Sequence, residues 1–206
     1  MKHLIALILT VSLFLYACSI VSWEPDPSLC RAWWTGEIND VFVEKAQTDL
    51  ERVQLNGCRL VTIALNSPGG YVTDGLEVIR LMRKARAEDM IVSVHGGAVV
   101  ASMAILVMAA GTPGYRYTDP HTLVVVHGPR GQATPFEPAT CLAVVLNPTT
   151  EEDRVLNQII NTMIAVLVEN TGRAWHEVSA WFECGQEQVG DGSLLIVLGV
   201  ADAIKG

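Results

Sequence analysis

Short apolar runs alternating with amphipathic stretches mark the middle of the chain. Leu60-Val61-Thr62-Ile63-Ala64-Leu65 is a continuous apolar run, the pattern of a strand buried on both faces. Asn66-Ser67-Pro68-Gly69-Gly70 interrupts it. Asp74-Gly75-Leu76-Glu77 has capping-box spacing, and Leu76, Ile79, Met82 and Ala85 give the helix that follows one apolar stripe. Met90 to Val94 is predicted as a second strand and Ser102 to Ala110 as an almost wholly apolar helix, stopped by Gly111, Pro113 and Gly114. Leu123 to Val126 is a third strand that runs directly into His127. Strand and helix in this alternation predict right-handed crossovers and a parallel sheet. The apolar stretch Gly96 to Gly111 is too short for a membrane span and reads as a buried helix. Residues 128–149, with four prolines, form an irregular excursion. A helix from about Thr150 packs through Leu156, Ile159, Ile160, Met163 and Leu167, and another runs from Arg173 to about Phe182.

The first residues have a different character. Met1-Lys2-His3 precedes a largely apolar stretch from Leu4 to Ala17, of secretory rather than bilayer-spanning length. Leu15-Tyr16-Ala17-Cys18 resembles a bacterial lipobox, in which the cysteine is lipidated and becomes the mature N-terminus. The expected organisation is therefore a lipoprotein-type signal peptide at 1–17, a tether at 18–35 and one domain at 36–206. The protein is expected to be exported and held to a bacterial membrane through Cys18, facing the periplasm or the cell exterior. Cys30, Cys58, Cys141 and Cys184 remain, and in an oxidising compartment they allow two disulfides in three possible pairings.

Composition narrows the class. The 206 residues are 50% hydrophobic and 17% charged, which excludes intrinsic disorder and suits a single well-filled core. With 14 basic against 22 acidic residues, a net charge of -8 and no Lys/Arg run, a nucleic-acid partner is not expected.

Three features carry chemistry. Ser67-Pro68-Gly69-Gly70 is a glycine turn at the carboxyl end of a buried strand, where backbone N–H groups can approach a ligand. Ser102 stands at a helix start after Gly96-Gly97-Ala98-Val99-Val100-Ala101, sharing the positive end of the helix dipole with the N–H of Met103. His127 ends a strand expected beside the one that leads to Ser102. Each alone is weak, since such a serine is usually a cap and a single histidine usually surface or core.

Together, and in order with Thr35-Gly36-Glu37-Ile38, Ala109-Ala110-Gly111, Gly131-Gln132-Ala133-Thr134, Thr171-Gly172 and Gly199-Val200-Ala201-Asp202, they resemble the Clp protease proteolytic subunits, the caseinolytic-type serine peptidases. The resemblance implies an α/β fold of the crotonase/Clp-protease type, with stacked ββα units and a mainly parallel sheet. It implies Ser102 as nucleophile, His127 as general base, and the N–H groups of Gly70 and Met103 as oxyanion hole, each donor worth on the order of 10²–10³ in turnover. It implies peptide or unfolded polypeptide as substrate, a homo-oligomer, and neither cofactor nor metal. The family's orienting aspartate falls on Glu187 when counted back from Gly199, with Asp191 and Glu183 nearby.

The pattern departs from the family in places. Ala98 stands where the family has a glycine, and the segment between Thr134 and Thr171 is longer than usual, which puts the family's double-ring assembly in question. The familiar members take substrate from an ATP-driven unfoldase, whereas an exported chain would act without an ATPase partner. Two alternatives stand beside this expectation. One is a serine–lysine dyad of the signal-peptide-peptidase kind, for which Lys45 is the candidate; the other is a non-catalytic assembly or binding module.

Overall fold

The apolar runs form the middle of a seven-stranded sheet. The computed structural model describes residues 26–130 and 148–205, and Cys18, Cys141 and the signal segment lie outside the described residues. In chain order the elements are β1 (Arg31–Thr35), α1 (Asp40–Leu55), β2 (Leu60–Ser67), α2 (Val72–Ala87), β3 (Ile91–Ala101), α3 (Met103–Ala109), β4 (Arg116–Thr118) and β5 (Leu123–Val126). After the excursion come α4 (Glu151–Thr171), α5 (Trp175–Ala180), β6 (Gln188–Gly190), α6 (Gly192–Val197) and β7 (Ala203–Ile204). The sheet is parallel in every pairing except β5 with β6.

β3 is the axis of the site. It runs on to Ala101, well past the predicted end at Val94, and its outer side is shared by two partners. Val94 to Gly96 pair with β4, and Val99 to Ala101 pair with β5. On its other side β2 follows β3 throughout, with a bulge between Leu65 and Ser67 that brings Ser67 opposite Val100. Asn66 Oδ1 accepts the Val99 N–H at 2.8 Å there, so the stretch carrying Ala98 stays in the sheet.

β2 corrects the expectation of a strand buried on both faces. Val61, Ile63, Leu65 and Ser67 are fully buried, while Leu60 and Asn66 are exposed and Thr62 and Ala64 half-buried. The helices cover one face only, and Trp33, Thr62, Ala64, His95 and Tyr117 form a partly open row on the other. Residues 31–35, taken with the tether, are in fact the edge strand β1, anchored by buried Ala32 and Trp34. α2 starts at Val72 with Tyr71 as N-cap, so Asp74 lies in its first turn and caps nothing. α4 is capped as expected by Thr150, in a reciprocal capping box with Asp153, and ends on left-handed Gly172.

Two covalent or ionic ties close the fold. Cys30 and Cys58 form a disulfide with Cα atoms 5.7 Å apart, and Cys184 is also disulfide-bonded. Buried Arg116 is gripped by Asp202 through Nη2 at 2.6 Å and Nε at 3.0 Å, while its Nη1 donates to the Asn170 carbonyl at 2.8 Å.

Candidate active site

Ser102 occupies the junction between β3 and α3. Its backbone is at φ 53°, ψ -125°, one of two non-glycine positive-φ positions among the described residues. L-residues rarely hold this conformation, which costs about 1–3 kcal/mol and is maintained only where neighbours impose it. The neighbours here are visible. The Ser102 N–H donates to the Val125 carbonyl at 2.8 Å, extending the β3–β5 ladder to the turn itself, and α3 behind it is wholly buried. This sharp strand-to-helix turn lifts the side chain out of the sheet, the geometry of a nucleophile elbow. The side chain is half-buried, and its hydroxyl makes no hydrogen bond within the described residues.

The Ser67-Pro68-Gly69-Gly70 turn lies against the serine. A Cβ on Gly69 would come within 2.7 Å of Ser102 Cβ and 3.0 Å of the Met103 nitrogen, so only glycine allows this approach. Gly69, at φ 97°, and Gly70, at φ 155°, are pinned from the far side by Ile38. Its N–H donates to the Gly69 carbonyl, and its own carbonyl accepts the Tyr71 N–H, both at 2.8 Å. Gly70 N–H and Met103 N–H find no acceptor among the described residues; the latter is an orphan donor of the first helical turn. The two donors of the expected oxyanion hole are thus free of partners among the described residues.

His127 follows β5, whose register beside β3 places it one strand over from Ser102. Its Nδ1 lies 2.6 Å from the Gly128 carbonyl oxygen. A carbonyl oxygen only accepts, so Nδ1 donates in that contact and Nε2 is the nitrogen left available to the serine. Gly128 is itself held, since a Cβ there would meet the Phe182 carbonyl at 2.5 Å. The structure brings Ser102, His127, Gly70 and Met103 into one neighbourhood without a hydrogen bond between the serine and the histidine, a looseness frequent in unliganded sites.

The expected acid is placed differently. Glu187 Oε2 accepts from Arg130 Nη2 at 3.0 Å, with both side chains on the surface. Asp191 caps α6 through Ser193, whose N–H and hydroxyl hold its carboxylate below the ordinary pKa, and Glu183 is exposed. None of the three is hydrogen-bonded to His127 among the described residues. Lys45 is committed to Asp49 at 3.0 Å on α1, which removes it as a partner for Ser102. Among the described residues no group of His, Cys, Asp and Glu is placed to hold a metal ion.

With this geometry in view, the comparisons decide the family. The family described as Clp protease matches residues 33–185, nearly three quarters of the chain. The chain belongs to the Clp protease family. The ATP-dependent Clp protease proteolytic subunit 2 of Corynebacterium efficiens is 27% identical over 134 residues, covering 62% of this chain and 61% of that protein. The chain thus matches about three fifths of the length of this curated relative. Clp protease family members form oligomers and act on polypeptides. The family match includes Glu183 and ends before Glu187 and Asp191.

Asp202 was noticed in the sequence only as part of Gly199-Val200-Ala201-Asp202, and its role emerges from the fold. Besides Arg116, it accepts the N–H groups of Gly114 at 2.8 Å and Arg116 at 2.9 Å, fastening the segment after β4's approach turn to the chain's last strand. Arg130 has no signal in the sequence, because its pairing with Glu187 depends on β6 lying beside β5.

Proposed function

We propose that this chain is a serine endopeptidase that hydrolyses peptides or unfolded polypeptides. Ser102 attacks the carbonyl carbon, and His127 Nε2 takes the hydroxyl proton and returns it to the leaving amine. The N–H groups of Gly70 and Met103 stabilise the oxyanion, and Glu187 serves as the orienting acid. The single observation that carries this reading is the positive-φ turn at Ser102, with a hydroxyl and two N–H groups beside it that find no partner among the described residues. Strain of this kind serves no purpose in a helix cap.

The site of action we propose is outside the cytoplasm, with residues 1–17 as signal peptide and lipid on Cys18. The Cys30–Cys58 disulfide supports an oxidising compartment. No helix among the described residues is long and apolar enough to cross a membrane. Without ATP in that compartment, the enzyme would act unaided, as a homo-oligomer, in contrast to the ATP-dependent relative.

Labelling of the purified chain with a fluorophosphonate tests the chemistry. Adduct on Ser102 in wild type, absent in Ser102→Ala and strongly reduced in His127→Ala, is expected. A second reading, a non-catalytic binding module, is favoured by the absent Ser102–His127 hydrogen bond and by the engagement of Glu187 elsewhere. Failure of folded, assembled protein to label at any pH would establish that reading in its place.

A further inference from the structure

We infer that Arg130 is a positioning residue that holds Glu187 away from His127, so that the site gains its carboxylate only when the Arg130–Glu187 ion pair opens. This rests on the Ser102–His127 chemistry proposed above and deepens it at the acid.

Three observations carry it. First, β6 pairs with β5 in antiparallel register, with Val124 opposite Gly190, Val125 opposite Val189 and Val126 opposite Gln188. Carried one position further, that register sets Glu187 opposite His127, where facing side chains share one side of the sheet with Cβ atoms about 5 Å apart. A carboxylate there is within reach of an imidazole. Second, the carboxylate is turned to Arg130, at 3.0 Å. Third, the imidazole Nδ1 meets the Gly128 carbonyl at 2.6 Å. Each half of the absent contact is occupied by a substitute.

The substitutes are not equivalent to the contact they replace. The Gly128 carbonyl maintains the tautomer, but it is neutral and does little for the imidazolium that forms as Ser102 loses its proton; a carboxylate stabilises that charge. The restraint is also weak. Arg130 and Glu187 side chains are 43% and 44% exposed, and pairs so solvated shift a population by a factor of about five at most and are screened by salt. Arg130 therefore restrains the acid without locking it.

The test is the second-order rate constant for fluorophosphonate inactivation of the full chain, at low and high NaCl. The proteins compared are wild type, Arg130→Gln, Arg130→Lys, Glu187→Gln and the Arg130→Gln/Glu187→Gln double variant. At low salt Arg130→Gln is expected to react about two- to five-fold faster than wild type. Wild type should approach it as salt rises, and Arg130→Lys should restore the slow rate. In the Glu187→Gln background the loss of Arg130 should gain nothing. A rate for Arg130→Gln at or below wild type overturns the inference, as does an equal gain in the Glu187→Gln background. Labelling that proceeds but ignores Arg130 defeats the restraint alone. Absence of labelling in every variant, each shown folded by its thermal transition, defeats the Ser102–His127 chemistry and the restraint with it.

Discussion

Removing the Cys30–Cys58 disulfide should lower stability substantially while leaving the chemistry intact. The bridge spans 28 residues and ties the entry of β1 to the approach of β2, enclosing β1 and α1. Cross-linking a loop of that length removes about 12 cal/mol/K from the unfolded chain's entropy, or about 3.5 kcal/mol at 25 °C. For a chain of this size each kcal/mol moves Tm by about 2–4 °C, so Cys30→Ala/Cys58→Ala should melt about 7–14 °C lower. A reductant is the wrong perturbation, because Cys184 is in a disulfide too. Thermal unfolding followed by circular dichroism reads the shift, and urea unfolding should show a larger m-value, since the uncrosslinked chain exposes more surface. Because the effect lies in the unfolded state, fluorophosphonate labelling of Ser102 at 25 °C should match wild type. A Tm change under 2 °C, or loss of labelling well below the transition, would refute the reasoning. The first would mean the bridge adds nothing beyond β1–β2 pairing, and the second that it shapes the site directly.

Other perturbations read the site and its supports. Gly69→Ala must hold φ 97° with a Cβ 2.7 Å from Ser102 Cβ; a displaced serine should lower the labelling rate about 10²-fold, measured beside a stability loss of about 1–3 kcal/mol. Asp202→Asn leaves buried Arg116 without its counter-charge and should cost about 3 kcal/mol, seen as a Tm lower by about 6–12 °C. Burial alone would raise the Asp202 pKa, but hydrogen bonds and charge from Arg116, with the Gly114 N–H, outweigh it and hold it low. Its contribution is therefore present above the ordinary carboxylate range and lost as pH falls through the depressed value, and the Asn variant should lack that part of the acid transition. His95 is pushed below its ordinary pKa by burial first, then by the charges of Lys205 and Arg31. Stability should fall as pH drops below about 6.5. His95→Gln should flatten that slope in Tm against pH, and an unchanged slope would acquit His95.

Ser102, His127 and the glycine turn were readable because each sits at a strong sequence event, the end of an apolar run followed by glycine or by a buried helix. The strands that carry them were readable for the same reason. β1 was hidden because Arg31, Trp33 and Thr35 face solvent, leaving only Ala32 and Trp34 to mark it. α1 was hidden by Asp49 in its buried stripe, a charge made tolerable by Trp34 Nε1, Lys45 and Arg52, none of which is adjacent in the chain. β4 and β7, of three and two residues, are shorter than any periodicity can reveal. The start of α2 was misplaced because the Gly75 N–H already bonds to the Tyr71 carbonyl, so the helix begins straight out of the glycine turn.

The position counted for the acid, Glu187, is held less firmly than Ser102 and His127 for a reason built into the sheet. Ser102 and His127 are fixed by long ladders: β3 is clamped by β2 along one side and by β5 at its end, all within the span the family pattern covers. Glu187 directly precedes β6, three residues at the edge that among the described residues pair with β5 alone and lie beyond that span. A short edge strand can gain or lose residues in its approach at little cost to the core, so the position of a carboxylate there is the least constrained part of the machinery. The positions of Ser102 and His127 are therefore set by the fold. The Glu187 carboxylate is held by local ion pairing, in one exposed pair worth about 1 kcal/mol or less. A fold that holds Ser102 so firmly and Glu187 so lightly lets the edge at β6 shift without disturbing the strained turn at Ser102.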